Sequence, residues 1–418
     1  MYDQLVKPKP ITVTEVPCED GKSTFPSVTF MVEEYGSPTF GDGAAKPVVV
    51  ILPFFLGSAR AAGHSGRDET TSKPKNVGYW DGLIGPDAAL NTDSHRIISF
   101  GPLINGLCGP SAKDPATQKP FGSRFPNFSF RDYAAIQRKA LDQLGVSQID
   151  ILAGASMGSL QAWHLAAQDM TRINRMLLVV PGGLMLPNKT RTLAAQWVQE
   201  LESDPAWKQG DYYDSPADQR PVAIQKVLAE FWYRCQFPLD ESMVYEPDEV
   251  EWANVVGNLK ALVPTISMNA KVIDDVLDKA KASNDPALVR FRSQVATLIK
   301  ITDHNDLLWQ LRTIGTFGAD AALRESDDLR FGWMGDQDIA QTRPNGQVMP
   351  KVLIIYAPDD DIFNKRELED TQKAPFGLGS NVSLVALKAK SPHASGLQSK
   401  PLEGLSDVIR VWQRPAKL

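Results

Sequence analysis

The 418-residue sequence predicts an α/β fold, a mostly parallel sheet flanked by helices with an inserted helical cap. Three observations predict it. Short, nearly continuous apolar runs recur along the chain. One of them passes through a glycine-flanked turn at residues 154–158 straight into a helical pattern. Between about 185 and 345 the strand-like runs nearly vanish and helical spacing takes over. Apolar runs without alternation belong to strands buried on both faces, which is the signature of a parallel sheet covered by helices.

The elements follow in order. Ile11–Val16 and Ser27–Val32 alternate apolar and polar residues around a Gly/Ser/Asp turn, which predicts an antiparallel hairpin. The apolar runs start at Val48, Arg96, Ile149, Met176, Val352 and Val382. A covering helix begins at Ser129, where Asp132 completes a capping-box pattern. Tyr133, Ile136, Ala140, Leu141 and Leu144 share one face of it, and Gly145 stops it. The cap pattern contains helices over Thr192–Leu201, Ala223–Tyr233, Val272–Ala282, Ala287–Ile299 and Leu307–Phe317. The economical organisation is a first core part at 1–184, a helical cap at 185–345 and a second core part at 346–418.

The most informative stretch is Gly154-Ala155-Ser156-Met157-Gly158, between a strand-like run and a helix start. It fits G-x-S-x-G, the nucleophile elbow of serine enzymes on the α/β-hydrolase fold. The sharp turn stands the Ser156 hydroxyl clear of the sheet, and glycines leave room for the neighbouring backbone. The helix start favours negative charge nearby. A serine nucleophile needs a base, and the base an orienting carboxylate, in the chain order Ser, Asp or Glu, His. Of five histidines, His64 and His95 precede Ser156, His164 lies on the helix after it and His304 falls in the cap. His393 follows the last strand-like run, in Ser391-Pro-His-Ala-Ser-Gly, a loop composition, and is the candidate base. The acid falls among Asp359, Asp360 and Asp361, just after the strand at 352–356, and periodicity does not choose between them. An oxyanion hole needs two backbone N–H donors. Position in the fold assigns one to Met157 and the other to the loop from Pro53 to Ser58.

Composition narrows the function. Hydrophobic residues make up 43% of the chain, charged residues 22%, and the net charge is -6, with no basic stripe of the kind nucleic acid requires. No segment approaches 18 uninterrupted apolar residues, so no membrane span is expected. The three cysteines are widely spaced, giving neither a disulfide framework nor a metal cluster. With no signal-peptide pattern at the start, the expectation is a cytoplasmic protein. The final Ala416-Lys417-Leu418 nearly matches the S-K-L peroxisomal address, with a solvated tail as the alternative.

Several segments together resemble the homoserine O-acetyltransferase family. Asn76-Val-Gly-Tyr-Trp-Asp-Gly-Leu-Ile-Gly-Pro86 is similar to its N-x-G-W-W-D-G-L-x-G-P, and Ala89-Leu-Asn-Thr-Asp93 to its A-L-D-T-D. Phe125–Asp132 resembles F-P-x-x-T-x-R-D, and Gly154–Ala162 resembles G-G-S-M-G-G-M-Q-A. In the cap, Asp204–Tyr212 and Asp303–Leu308 are similar to D-P-x-W-x-x-G-x-Y and D-x-N-S-Y-L. The resemblance implies transfer of an acyl group from acetyl-CoA to the elbow serine and then to a hydroxyl, and a dimer built through the cap. The family's D-x-L-F selects Asp360, and its H-A-L-T-G selects Phe55 as the first oxyanion donor. Two departures stand out. Ala394 replaces the aspartate after the base, and Val198 stands where an arginine is expected, the nearest arginine being Arg191. Both missing charges would hold homoserine, and a zwitterion without counter-charges binds poorly. The favoured expectation is a serine hydrolase acting on a small-molecule ester, thioester or amide without a cofactor. The alternative is an O-acyltransferase with acyl-CoA as co-substrate and an acceptor other than homoserine. A non-catalytic scaffold of the same fold is the third reading.

Overall fold

The structure, a computed structural model, describes residues 2, 4–19, 21, 24–183, 188–236, 286–316, 350–360, 362–363, 365, 368–369, 381–387 and 392–414. The helix expected over Val272–Ala282, Asp361 and the C-terminal Ala416-Lys417-Leu418 lie outside the described residues.

Eight strands form one sheet. They are β1 (Lys9–Pro17), β2 (Thr24–Tyr35), β3 (Val48–Leu52), β4 (Arg96–Phe100), β5 (Ile149–Ala155), β6 (Ile173–Val179), β7 (Lys351–Tyr356) and β8 (Val382–Ala386). Their order is β1-β2-β4-β3-β5-β6-β7-β8. The β1–β2 and β2–β4 pairs are antiparallel and every later pair is parallel. Alternate residues explain the unbroken apolar runs. Val50, Leu52, Leu152, Leu178 and Ile354 enter one buried cluster, while Val49, Ile51, Ile151, Leu177 and Ile355 enter another. Successive side chains of a strand point to opposite faces, so both faces of the sheet are covered.

Helix α1 (Phe130–Gln143) carries the expected capping box. The Ser129 side chain accepts from the Asp132 N–H, and Asp132 accepts from the Ser129 N–H at 2.8 Å. Gly145 follows at φ +68°, the left-handed region where a helix stop favours glycine. Helix α2 (Met157–Asp169) leaves the end of β5. Between β6 and β7 the described regular elements are helical, with α3 (Asn188–Glu202), α4 (Ala223–Gln236), α5 (Pro286–Ile301) and α6 (His304–Thr316) the long ones. The sheet closes across them, pairing Arg175–Val179 with Lys351–Ile355.

Polar side chains tie α6 down. Asp303 accepts from the hydroxyls of Tyr212 and Tyr213 at 2.7 and 2.9 Å, and Asn305 accepts from Trp207 Nε1 at 2.7 Å. Segments 204–212 and 303–308 are therefore one hydrogen-bonded unit. Asp306 accepts from the Ser111 N–H at 3.0 Å and from its hydroxyl, joining α6 to a loop of the sheet domain. The chain ends in α7 (Pro392–Gly396), α8 (Ser399–Glu403) and α9 (Ser406–Gln413). Cys18, Cys108 and Cys235 are all buried, and none forms a disulfide.

Candidate active site

The parallel strands all end on one side of the sheet, and the loops leaving β3, β5 and β7 meet there. Ser156 occupies the β5–α2 turn at φ 51° and ψ −123°, in the left-handed region that a serine rarely adopts. Its N–H donates to Val179 O at 3.0 Å, so β6 braces the strained residue. The glycines answer a demand for closeness. A Cβ on Gly154 would lie 2.3 Å from Gly158 O, and one on Gly158 would lie 2.5 Å from Leu52 O. Helix α2 thus starts in backbone contact with two strands.

His393 is completely buried, its Nε2 2.8 Å from Ser156 Oγ and its Nδ1 2.8 Å from Asp360 Oδ2. The expected loop around this histidine is in fact the short helix α7, which starts with Pro392. Proline at a first helical position gives up an N–H that has no helical partner, so it does not argue against a helix there. Asp360 turns its other oxygen, Oδ1, to the N–H groups of Ile362 and Phe363 at 2.8 and 3.2 Å. With Asp360 as the acceptor at Nδ1, the tautomer that carries its proton there leaves Nε2 to accept from the Ser156 hydroxyl. Asp359 is exposed and makes no part of this array.

The other histidines are held elsewhere. His95 faces Asp150 at 3.2 Å, His304 contacts Leu201 O at 3.1 Å and His64 accepts from the Gly66 N–H at 3.2 Å. His164 stacks on Phe130 of α1 at 5.4 Å. Burial, with the Arg131 charge, pushes its pKa down to about 3, so this imidazole stays neutral.

Beside Ser156 lies a cavity walled by Phe55, Met157, Leu160, Trp197, Phe231, Leu311 and others, and among its described lining residues Thr190 is the one polar residue besides Ser156. The Thr190 hydroxyl is engaged with Ile362 O. No charged side chain lines the cavity among the described residues. Phe55 meets Phe231 edge-on at 4.9 Å and Trp197 meets Phe231 at 5.8 Å, making an aromatic wall. Phe55 and Met157 therefore flank the serine, and among the described residues neither backbone N–H has an acceptor. Ala394 is buried in the larger apolar cluster, and Val198 is half-buried on α3. Arg191 is buried on that same helix.

Sequence reasoning missed two features. The wall residues Thr190, Ala194 and Trp197 recur at helical spacing on α3, a signal that was available. Gln161 and Gln137 form a buried pair behind the site at 2.7 Å. Its traces in the sequence are a polar residue between Leu160 and Ala162 and the glutamine of the G-G-S-M-G-G-M-Q-A match, neither of which names a partner.

A family profile described as the alpha/beta hydrolase fold matches residues 74–386. Over 219 residues the chain is 32% identical to a homoserine O-acetyltransferase of Methanosphaerula palustris, covering 51% of this chain and 42% of that protein. It is also 32% identical over 234 residues to one from Deferribacter desulfuricans, covering 55% and 59%. The chain spans about half the length of the curated relatives it matches. Among solved structures, a homoserine O-acetyltransferase from Bacillus anthracis superposes with a TM-score of 0.71 at 19% identity, over 99% of this chain and 98% of that one. The esterase E22 superposes with a TM-score of 0.70 at 23% identity, over 98% and 100%. At those identities the likeness is one of fold.

Proposed function

Because the chain belongs to the α/β-hydrolase fold family, we propose that it is a serine hydrolase that cleaves a small neutral ester or thioester through an acyl-enzyme on Ser156. The observation that carries this is the buried Ser156–His393–Asp360 array, 2.8 Å at each link, opening on an uncharged cavity. Ser156 Oγ attacks the acyl carbon while its proton passes to His393 Nε2. Asp360 holds the ring and stabilises the imidazolium. The carbonyl oxygen becomes an oxyanion, for which the N–H groups of Phe55 and Met157 are the donors. His393 then gives its proton to the leaving oxygen or sulfur as the bond to the acyl carbon breaks. Water repeats the attack, with His393 again as base, and frees the acid and Ser156.

The second reading is transfer of the acyl group from acyl-CoA to a hydroxyl other than that of homoserine, and the homoserine O-acetyltransferase relatives favour it. Ala394 and Val198 argue against homoserine itself. Each charge-assisted contact missing from a closed site costs about 1.5–3 kcal/mol, so two would weaken homoserine by several tenfold steps. The helical insertion, taken as a cap over residues 185–345, supplies much of the cavity wall in either reading.

An active-site phosphonate followed by intact-mass spectrometry tests the nucleophile. One adduct is expected on the wild type and none on Ser156→Ala, which should keep its stability and lose turnover by orders of magnitude. Equal labelling of both would overturn the assignment. Steady-state rates then separate the readings: a neutral ester in water against acetyl-CoA with homoserine. Efficient O-acetylhomoserine formation would mean that other groups, Arg191 among them, hold the amino acid.

A further inference from the structure

Gln161 is buried on α2, one helical turn beyond Met157. Its Nε2 donates to Pro53 O at 2.9 Å, and its Oε1 accepts from Gln137 Nε2 on α1 at 2.7 Å. Chemistry forces that orientation. A carbonyl oxygen has no hydrogen to give, so Pro53 receives the NH2 end, and the oxygen end must face Gln137. Gln137 is equally buried, and away from water neither amide has an easy replacement for the bond.

Pro53 is the first residue after β3 and stands two residues before Phe55. Its carbonyl therefore helps set the direction in which the Phe54–Phe55 peptide leaves the sheet. Among the described residues, Gln161 makes the one side-chain hydrogen bond that reaches residues 53–57 from outside the loop. The start of α2 presses on the same point, since a Cβ on Gly158 would also lie 3.1 Å from Pro53 O. One side chain on the helix that carries the Met157 N–H thus holds the loop that carries the Phe55 N–H.

We propose that Gln161, oriented by Gln137, is a positioning residue that fixes the spacing of the Phe55 and Met157 N–H donors around the reacting oxygen. This rests on the reading of Ser156 as nucleophile. Preorganised donors act only where the oxyanion forms, and misplacement on the scale of an ångström costs rate steeply. The effect therefore falls on turnover and leaves ground-state binding alone.

The test replaces the amide by a hydrocarbon of similar size. For Gln161→Leu, kcat on a neutral ester should fall about 10- to 100-fold with KM little changed. Affinity for a trifluoromethyl ketone, which presents an oxyanion once Ser156 adds, should fall by the same factor. Gln137→Leu should show the same pattern more weakly. Gln161→Glu separates positioning from bulk packing. Its neutral acid can donate to Pro53 O and its carboxylate cannot, so its kcat relative to wild type should fall as pH rises through the titration of the new group. Hydrogen exchange needs no substrate, and the segment 53–58 should exchange faster in Gln161→Leu. Unchanged kcat and unchanged exchange, or a loss confined to KM, would overturn the inference. A wild type that the phosphonate fails to label would overturn the nucleophile reading, and this inference with it. Normal labelling beside a fully active Gln161→Leu would overturn this inference alone.

Discussion

At the scale of single residues, Asp360 shows how one carboxylate is divided between a turn and a histidine. Oδ1 closes the turn through the Ile362 and Phe363 N–H groups, and Oδ2 faces His393. Asp360→Asn can keep the first set by presenting its amide oxygen there. Its NH2 then meets Nδ1, which must become the acceptor, so the ring proton moves to Nε2 and the base is lost. On the proposed mechanism kcat should fall about 10³- to 10⁴-fold. KM and the thermal midpoint should change little, which steady-state kinetics and a melting curve would check. Retained activity would show that the array is not catalytic. Asp360 was also the residue on which pattern alone was silent. Three adjacent aspartates look alike to periodicity, and only the D-x-I-F match singled one out. The physical difference is burial, since Asp360 is 7% exposed while Asp359 lies in solvent, and burial at a strand end depends on the loops around it.

At the scale of elements, the β5–α2 junction works because two strands and a helix share a space with no room for a side chain. Gly158→Ala would set a Cβ 2.5 Å from Leu52 O, and only backbone movement relieves that. A loss of about 1–3 kcal/mol is expected, read from urea unfolding, together with a fall in turnover as Met157 shifts. Gly315→Ala on α6 is the control: nothing lies within 4 Å of the added carbon, so it should be neutral or mildly stabilising. If the two variants behave alike, crowding is not what the glycine relieves. Junctions of this kind were readable in advance. Apolar runs located β3 to β8, because burial on both faces favours apolar residues, and alternation located the β1–β2 hairpin. Ser129 and Asp132 located α1, because a capping box is a local contract between residues three apart. The hydrogen bond from Gln161 to Pro53 was not readable. It joins residues 108 apart, and no local pattern encodes which carbonyl a buried amide will find.

At the scale of the whole molecule, the inserted helices are joined to the sheet domain through Asp306, which holds Ser111. Burial, reinforced by the charge of Asp303, pushes its pKa up to about 7 from the ordinary aspartate value of 3.8. The folded state therefore holds this proton more tightly than the unfolded chain. Its contribution is full below about pH 4 and is lost as pH rises towards 7. Asp306→Asn removes the titration while keeping an oxygen for the Ser111 N–H. Between pH 5 and pH 8 the wild type should lose stability relative to the variant, by on the order of 2–4 kcal/mol. Urea unfolding at the two pH values measures it, and parallel curves would mean that Asp306 is not strained at neutral pH. The three buried thiols make such openings visible. Cys18 follows β1, Cys108 follows β4 and Cys235 lies on α4, so each belongs to a different part of the chain. Burial pushes the Cys108 thiol up to about 12, which keeps it unreactive while the fold is closed. Under an alkylating reagent the native protein is chemically silent, loosening of the inserted helices alone would tag Cys235, and collapse of the sheet domain would tag all three. The chain thus carries its own mass-coded record of which part opened first.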